Sequence, residues 1–369
     1  MTTDTSVVYL DSTMSGAPAL SGTAGTLIGV LDACLVNGFG SITLDSLVIV
    51  DNVATGTIST GHNLVMVGDT GPVILIEGAS APAAINGRFR IQTIPNATTF
   101  TFTTSGISNQ TATGTITAKR APAGFEKAFS ATNKAAYRSL DIAGTQLFLR
   151  VDDGYGNYAR FRGYETMSGV DTGAGPFPTD AQINGGLYVY KTNLAAVRPW
   201  TLYSDGRIVY LFCDSSGTGA WYGGLCFGDL LSYTAPDGYC ALVIGSNSAT
   251  SLFVFSAFSA TAHHYLARAR AQTGTSLAAS KYSNSKTGSM GYQGETYVDG
   301  MDIVFWPVEV WDGTTNPRGL LPGVWNPLIS NGPHGQPITD VPQLPGRTLI
   351  TQRIGSLYSC AIDLTGPWR

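Results

Sequence analysis

A chain of 369 residues is too long for one ordinary hydrophobic core and divides more naturally into two or three folding units. Hydrophobic residues make up 43% and charged residues only 12%, about half the usual charged share, so neighbouring subunits can cover its surface without desolvating many ions. A net charge of −4 and a pI near 5.5 argue against a nucleic-acid binder, the sequence holds no cluster of Lys and Arg to neutralise phosphates, and no nucleic-acid partner is expected.

Chain order begins with an extended lead-in, Val7-Val8-Tyr9-Leu10. Leu27, Val30, Leu31, Cys34 and Leu35 then recur at i, i+3, i+4, i+7 and i+8, which predicts one amphipathic helix over about 24–36. Ser21 or Thr23 is the expected amino-terminal cap, and Asn37-Gly38 suits the left-handed geometry that ends a helix. With the following Ser41–Val50, residues 1–50 read as an arm without enough apolar partners of its own. Its five helix-face residues are therefore expected to dock on a neighbouring subunit, as assembly residues of a symmetric homo-oligomer.

From about Asp51 to Lys119 short strands alternate with Gly, Asn and Pro, most clearly in Thr98-Thr-Phe-Thr-Phe-Thr103 and Gly114-Thr-Ile-Thr-Ala118. Ala54-Thr-Gly-Thr-Ile58 recurs as Ala112-Thr-Gly-Thr-Ile116, so the first and last strands share an alternation and are expected to pair, closing a small β-barrel. After the hinge Arg120-Ala-Pro-Ala-Gly124 a larger antiparallel β-sandwich is expected over 120–329. Its strands are Gln146–Arg162, a hairpin turning at Asp153-Gly154, then Gly186–Thr192, Trp200–Ser204, Ile208–Asp214, Tyr239–Ile244, Leu252–Ser256 and Asp302–Trp311. Ala260–Ala271 is the one helical candidate there, and residues 330–369, rich in Pro and Gly, read as an extended arm with one or two short strands.

Several local patterns imitate active sites without their required context. Gly224-Leu-Cys226-Phe-Gly228 matches a nucleophile elbow but lacks the following helix, because Pro236 comes too soon; Cys226 reads as a buried thiol. Gly217-Thr-Gly219 follows a strand, yet no βαβ alternation surrounds it. Asp152, Asp153 and Asn157 are close enough to offer oxygen ligands to calcium but fail the EF-hand spacing, and a turn is the better reading. His263 and His264 are adjacent and so diverge, while His62 and His334 lie near glycines. Asp299, Asp302, Glu309 and Asp312 surround one apolar strand and could offer the carboxylate pair of a glycosidase, but clusters of this size arise by chance and no parallel β-helix repeat of the depolymerase type is present. Arg268-Ala-Arg270 reads as a solvated or intersubunit salt-bridge site. Tyr155, Tyr158, Trp221 and Tyr222 fit either sugar stacking or core packing. No catalytic, cofactor-binding or metal-ligating residue is assigned.

Five cysteines, Cys34, Cys213, Cys226, Cys240 and Cys360, are odd in number and set in apolar runs, so all are expected to remain thiols. The first residues lack a basic region followed by an apolar stretch, and no run of about 18 apolar residues occurs, so folding in a reducing cytoplasm without membrane insertion is expected.

Gly61-His-Asn-Leu-Val-Met-Val-Gly-Asp69, Ile85-Asn-Gly-Arg-Phe-Arg-Ile91, Asn96-Ala-Thr-Thr-Phe-Thr-Phe102 and Thr113-Gly-Thr-Ile116 together resemble a small β-barrel insert of phage tail proteins. That insert is similar to the first catalytic cysteine half-domain of ubiquitin-activating enzymes; residues 51–119 contain no cysteine, and no ubiquitin chemistry is implied. Met14–Gly25, Leu31–Gly40 and Arg318–Pro327 resemble structural proteins of tailed bacteriophages. The resemblance implies a non-enzymatic virion component of the tail or baseplate, assembled in the host cytoplasm, with other virion proteins and its own copies as partners. A receptor- or glycan-binding tail appendage that contacts host surface glycan is the alternative, followed by a head decoration protein or a polysaccharide hydrolase.

Overall fold

The computed structural model describes residues 3–192, 194–249, 264–282, 305–313, 316–327, 333–355 and 358–369. They are mainly β, in antiparallel sheets, with one short helix near the start.

The small barrel lies where alternation is clearest. Its strands run in the order Phe39–Thr43, Thr113–Arg120, Val73–Ala81, Gly87–Asn96, Thr99–Thr103, Val53–Thr57, Ser46–Val50, Gln110–Thr111. Both ends of this order are drawn from the same two stretches, 39–50 and 110–120, so the sheet closes on itself. Leu44 N donates to Ile116 O at 2.9 Å and Ala112 N to Leu47 O at 2.8 Å across the seam. Leu47, Ile49, Ala54, Ile74, Ile76, Phe100, Phe102, Ile116 and Ala118 fill the interior. Gly56 leaves room there, because a Cβ would stand 2.5 Å from the Phe100 ring.

Two expectations are corrected. The Ala-Thr-Gly-Thr-Ile copies do not pair with each other: Val53–Thr57 lies between Ser46–Val50 and Thr99–Thr103, while Thr113–Arg120 lies between Phe39–Thr43 and Val73–Ala81. The reason is the turn at Asp51-Asn52, whose φ values of 50° and 63° suit a two-residue hairpin and fold Ser46–Val50 directly onto Val53–Thr57. For the same reason the barrel begins at residue 39, and residues 39–50 belong to it and not to an arm.

The larger unit is a sandwich with an extra layer. One sheet contains Phe125–Ala131, Lys134–Ser139, Phe148–Asp152, Tyr158–Gly169 and Thr172–Phe177 in sequence order, with Leu187–Tyr190 also paired to Tyr158–Gly169. Its inner face, including Tyr137, Leu149, Val151, Phe161 and Val189, shares a core with Trp200, Leu202, Val209, Leu211, Leu225, Phe227 and Val243 of a second, thirteen-stranded sheet. Ile208–Cys213 in that second sheet is buried at every position. Val209, Leu211 and Cys213 face the first core, whereas Ile208, Tyr210 and Phe212 face another made with Val310, Leu321, Val324, Ile350, Ile362 and Trp368. The large sheet thus curls back over its own strands, fastened where Leu231–Ser232 pairs with Leu320 and Gly319. Burial on both faces explains why this strand reads as a continuous apolar run with no alternation.

Both expected arms are part of this body. Val8–Asp11 pairs with Trp200–Ser204, and Leu27, Val30, Leu31, Cys34 and Leu35 are fully buried in the first core. Their apolar face is covered by the chain's own sheets and needs no neighbouring subunit. The helix itself is α over Thr26–Leu31 and π over Asp32–Asn37, ended by Gly38 at φ 71°. At the other end Leu349–Ile354 and Tyr358–Asp363 form a hairpin on Asn316–Pro327. Thr201 Oγ1 and Tyr203 OH donate to the buried Gln352 Oε1 at 2.7 and 3.1 Å, tying this hairpin to a central strand. Pro342, Pro345 and Gly346 lie in the turns leading into it, while Pro337 opens the short strand Pro337–Ile338, which pairs with Leu349–Ile354. Within Ala260–Ala271, residues 264–271 are not helical: His264–Leu266 is a strand, and the chain turns as Gln272 N donates to Ala269 O. Leu252–Ser256, expected as a strand, lies outside the described residues.

Two deletions check this architecture by thermal melting followed by circular dichroism. Phe39 is paired with Arg120, so the barrel's ends are adjacent, and excising 39–120 with a short linker is expected to lower the melting temperature yet leave one cooperative transition. Removing 1–46 strips nine buried side chains from the first core, the large aliphatic ones at about 1.5–3 kcal/mol each, and is expected to abolish that transition. A truncated chain melting cooperatively at the full-length temperature would contradict the placement of the helix.

Candidate functional site

The loop 153–157 between Phe148–Asp152 and Tyr158–Gly169 is connected to several distant parts of the chain. A two-residue Asp-Gly turn would send the aspartate side chain to solvent, but here five residues make the connection and Asp153 points inward, fully buried. Its main chain is fixed first: Asp153 N donates to Asn133 O at 2.7 Å, and Gly25 N donates to Asp153 O at 3.0 Å. Its carboxylate then takes two roles. Oδ2 accepts from Leu27 N at 2.8 Å and Ile28 N at 3.4 Å, and Oδ1 lies 2.5 Å from Lys191 Nζ, itself fully buried. Lys191 Nζ also donates to Thr23 O at 2.9 Å and Tyr155 O at 3.2 Å.

Asp153 is therefore the cap of the helix, supplied from 126 positions away in sequence. The local residues do not cap it. Gly25 stands at the cap position with φ 84°, Ser21 Oγ accepts from Thr23 N, and Thr26 Oγ1 donates back to Ser21 O and Thr23 O. Burial pushes the Asp153 carboxyl above its usual range, opposed by Lys191 and by the two helix amides. The group that the sequence offers as a calcium ligand is thus consumed by a lysine and a helix, while Asp152 faces Arg150 at 3.4 Å.

On the outer face of the same sheet the alternate residues are exposed or half-buried. Tyr155 and Tyr158 stack with ring centroids 4.6 Å apart at 18°, Tyr158 meets Tyr188 at 5.3 Å and 59°, and the Arg160 guanidinium lies 3.8 Å over Tyr188. Cross-strand register produces this column: Arg160 is opposite Tyr188, and Tyr158 is opposite Tyr190. Two of the four expected glycan-contact residues, Tyr155 and Tyr158, are thus brought together, joined by Tyr188 and Arg160, which sequence spacing alone does not connect. Trp221 is not with them. It is buried in the second core, its ring 4.0 Å from that of His334, and the neighbouring Tyr222 is half-buried beside Gly355.

The remaining motifs resolve into packing. Cys226 is fully buried in the middle of the strand Gly223–Asp229, and all five cysteines are buried thiols outside any disulfide. In the Gly217-Thr-Gly219 turn the Asp214 carboxylate accepts from Gly217 N at 2.9 Å and Gly219 N at 2.6 Å, so the amides that would greet a phosphate are occupied. Arg268 forms an intramolecular, two-pronged pair with Glu165, both contacts 2.6 Å, and packs 4.0 Å over Tyr239. That corrects the solvated or intersubunit reading for Arg268, whose partner is 103 positions away in the same chain, while Arg270 is exposed. Glu309 accepts from Tyr233 OH and Trp311 Nε1, and Asp312 accepts from Arg270 N and pairs with the buried Arg318; Asp299 and Asp302 lie outside the described residues. His62 is a core residue, its Nε2 2.9 Å from Asn96 O and its Nδ1 accepting from Leu64 N; His264 is fully buried, and His263 lies outside the described residues. Among the described residues no three His, Cys, Asp or Glu side chains are grouped to hold a metal ion, and no helix is long and apolar enough to cross a membrane.

No family model matches the chain, and no curated protein is similar to it.

Two predictions follow from these buried groups. Lys191→Met leaves the Asp153 carboxylate buried without its counter-charge and is expected to cost about 3–5 kcal/mol in urea unfolding. Adding Asp153→Asn removes the charge left behind, so the double variant is expected to lose less than the two single losses combined. For His334, burial against Trp221 lowers the imidazole pKa to about 4, with Asp11 and Asp214 opposing and Arg353 assisting. The unfolded chain, titrating near 6.5, then binds more protons between these values, so this residue's contribution is complete above about pH 6.5 and is lost as pH falls towards 4. Subtracting the pH profile of His334→Gln isolates that contribution; identical slopes for the two proteins between pH 4 and 6.5 would show that His334 titrates normally.

Proposed function

We propose that the chain is a non-enzymatic structural component of a tailed-bacteriophage particle, placed in the tail or baseplate. The observation that carries this reading is how the polar side chains are used. Buried cations fasten one part of the chain to another: Lys191 joins helix, loop and strand, Arg318 joins Asp237, Asp312 and the carbonyls of Arg268 and Tyr239, and Arg90 binds the carbonyls of Asp4, Val7 and Gly71 to hold the barrel on the amino-terminal segment. Such fastening suits a part that must keep one shape under load. The low charge density and the stretches resembling phage tail proteins support the same role.

Because the terminal segments are folded into the body, contacts with other virion proteins are assigned to exposed apolar positions such as Leu140 and Ile142, which are 58% and 87% exposed in one loop. Purified particles of the encoding phage, analysed by mass spectrometry and labelled with gold-tagged antibody to this chain, test the proposal. The chain is expected among the particle proteins in a fixed ratio, with label on the tail. Its absence from purified particles would refute the virion role, and label confined to the head would refute the tail placement.

A further inference from the structure

The outer end of the tyrosine column has the properties of a ligand platform. Tyr155 is the outermost ring, 43% exposed, with one face against Tyr158. Its position is set from below, because its carbonyl accepts from the buried Lys191 and because Lys191 N donates to Asn157 O at 2.9 Å two residues later. A second loop stands beside it: Gly22 N donates to Leu194 O at 2.8 Å, and a Cβ on Gly156 would lie 3.1 Å from Gly22 O. Leu194 and Val197 of that loop are 51% and 62% exposed. Neither Gly154-Tyr-Gly-Asn-Tyr158 nor Leu194-Ala-Ala-Val197 contains a charged side chain.

We propose that this platform binds a neutral oligosaccharide, with the apolar face of one pyranose ring stacked on Tyr155. The electron-rich face of a phenol ring attracts the polarised C–H groups of a sugar, and flanking Leu194 and Val197 extend the apolar contact. Charge selects against other planar ligands. A nucleotide brings phosphates, yet Arg160 is already committed to Asn184 O, Gly186 O and the Tyr188 ring, and Arg198, next to Val197, donates through Nε to Thr192 Oγ1. A cationic ligand meets no exposed carboxylate in either loop, because Asp153 is buried and paired with Lys191. The stack is assembled before the ligand arrives, so little ordering entropy opposes binding. This site stands independently of the proposed virion role.

The test uses the full chain, with tetrasaccharides of β-1,4-glucose, β-1,4-N-acetylglucosamine and α-1,4-glucose and a single-stranded oligodeoxyadenylate as probes, followed by saturation-transfer NMR and calorimetry. At least one saccharide is expected to saturate below about 10 mM, with Tyr155→Ala weakening it about tenfold and Tyr155→Phe changing it less than about twofold. Val197→Asp, which adds a charge beside the platform without touching the column, is expected to weaken binding as well and gives an independent reading should Tyr155→Ala fail to fold. Trp306→Ala, at an exposed ring outside the column, is expected to leave affinity unchanged. Lack of saturation by all three sugars would overturn the proposal, as would undiminished binding by folded Tyr155→Ala and Val197→Asp or tighter binding of the oligonucleotide.

Discussion

Asp153 and Lys191 form the contact on which the arrangement of the first core depends. Both are completely buried, and their charges are tolerable only because each is saturated: the carboxylate by an ammonium and two helix amides, the ammonium by that carboxylate and two carbonyls. Through this one contact the amino-terminal helix, the Asn133 turn, the 153–157 loop and the end of Leu187–Tyr190 are brought to a common point. A helix with only one α-turn and a π continuation has little stability of its own, so its place is set by the apolar face beneath it and the distant carboxylate at its start.

The same economy of charge extends through the molecule. With few ionisable side chains, those present on the inside are used as fasteners between segments distant in sequence, as with Arg318 in the second core and Arg88 and Arg90 at the barrel. Arg88 donates to Pro122 O and Thr5 O, both at 2.7 Å, so the segment before the helix lies between barrel and body and is gripped by both. Main-chain carbonyls supply many of these acceptors, so the fastening does not depend on acidic residues alone.

The sequence discloses those features that depend on near neighbours. The helix face was legible because five apolar residues recur at helical spacing, and Trp200–Ser204 was legible to the residue because strand-formers end there at a turn. The barrel interior was equally plain from the alternation in Thr98–Thr103. What failed depends on distant partners. Nothing near Thr26 reveals that its helix is capped by Asp153, and nothing in the Pro-rich stretch after residue 330 reveals Gln352 beneath Thr201 and Tyr203. Asp51-Asn52 looked like the end of an arm, whereas its left-handed geometry makes it a hairpin inside the barrel. At the candidate site, the spacing of Tyr155 and Tyr158 suggested a pair, but Tyr188 and Arg160 joined it only through the register between two strands. For Trp221 the sequence left sugar stacking and core packing both open, and the ring is enclosed in the core against His334.

Hydrogen exchange measured by mass spectrometry in the intact chain tests most directly whether Asp153 and Lys191 hold the helix start in the core. With Leu27 N and Ile28 N bound to a buried carboxylate, a peptide covering residues 24–31 is expected to exchange as slowly as one covering the doubly buried strand 208–213. Exchange of the 24–31 peptide at the rate of the exposed loops, while 208–213 stays protected, would contradict it.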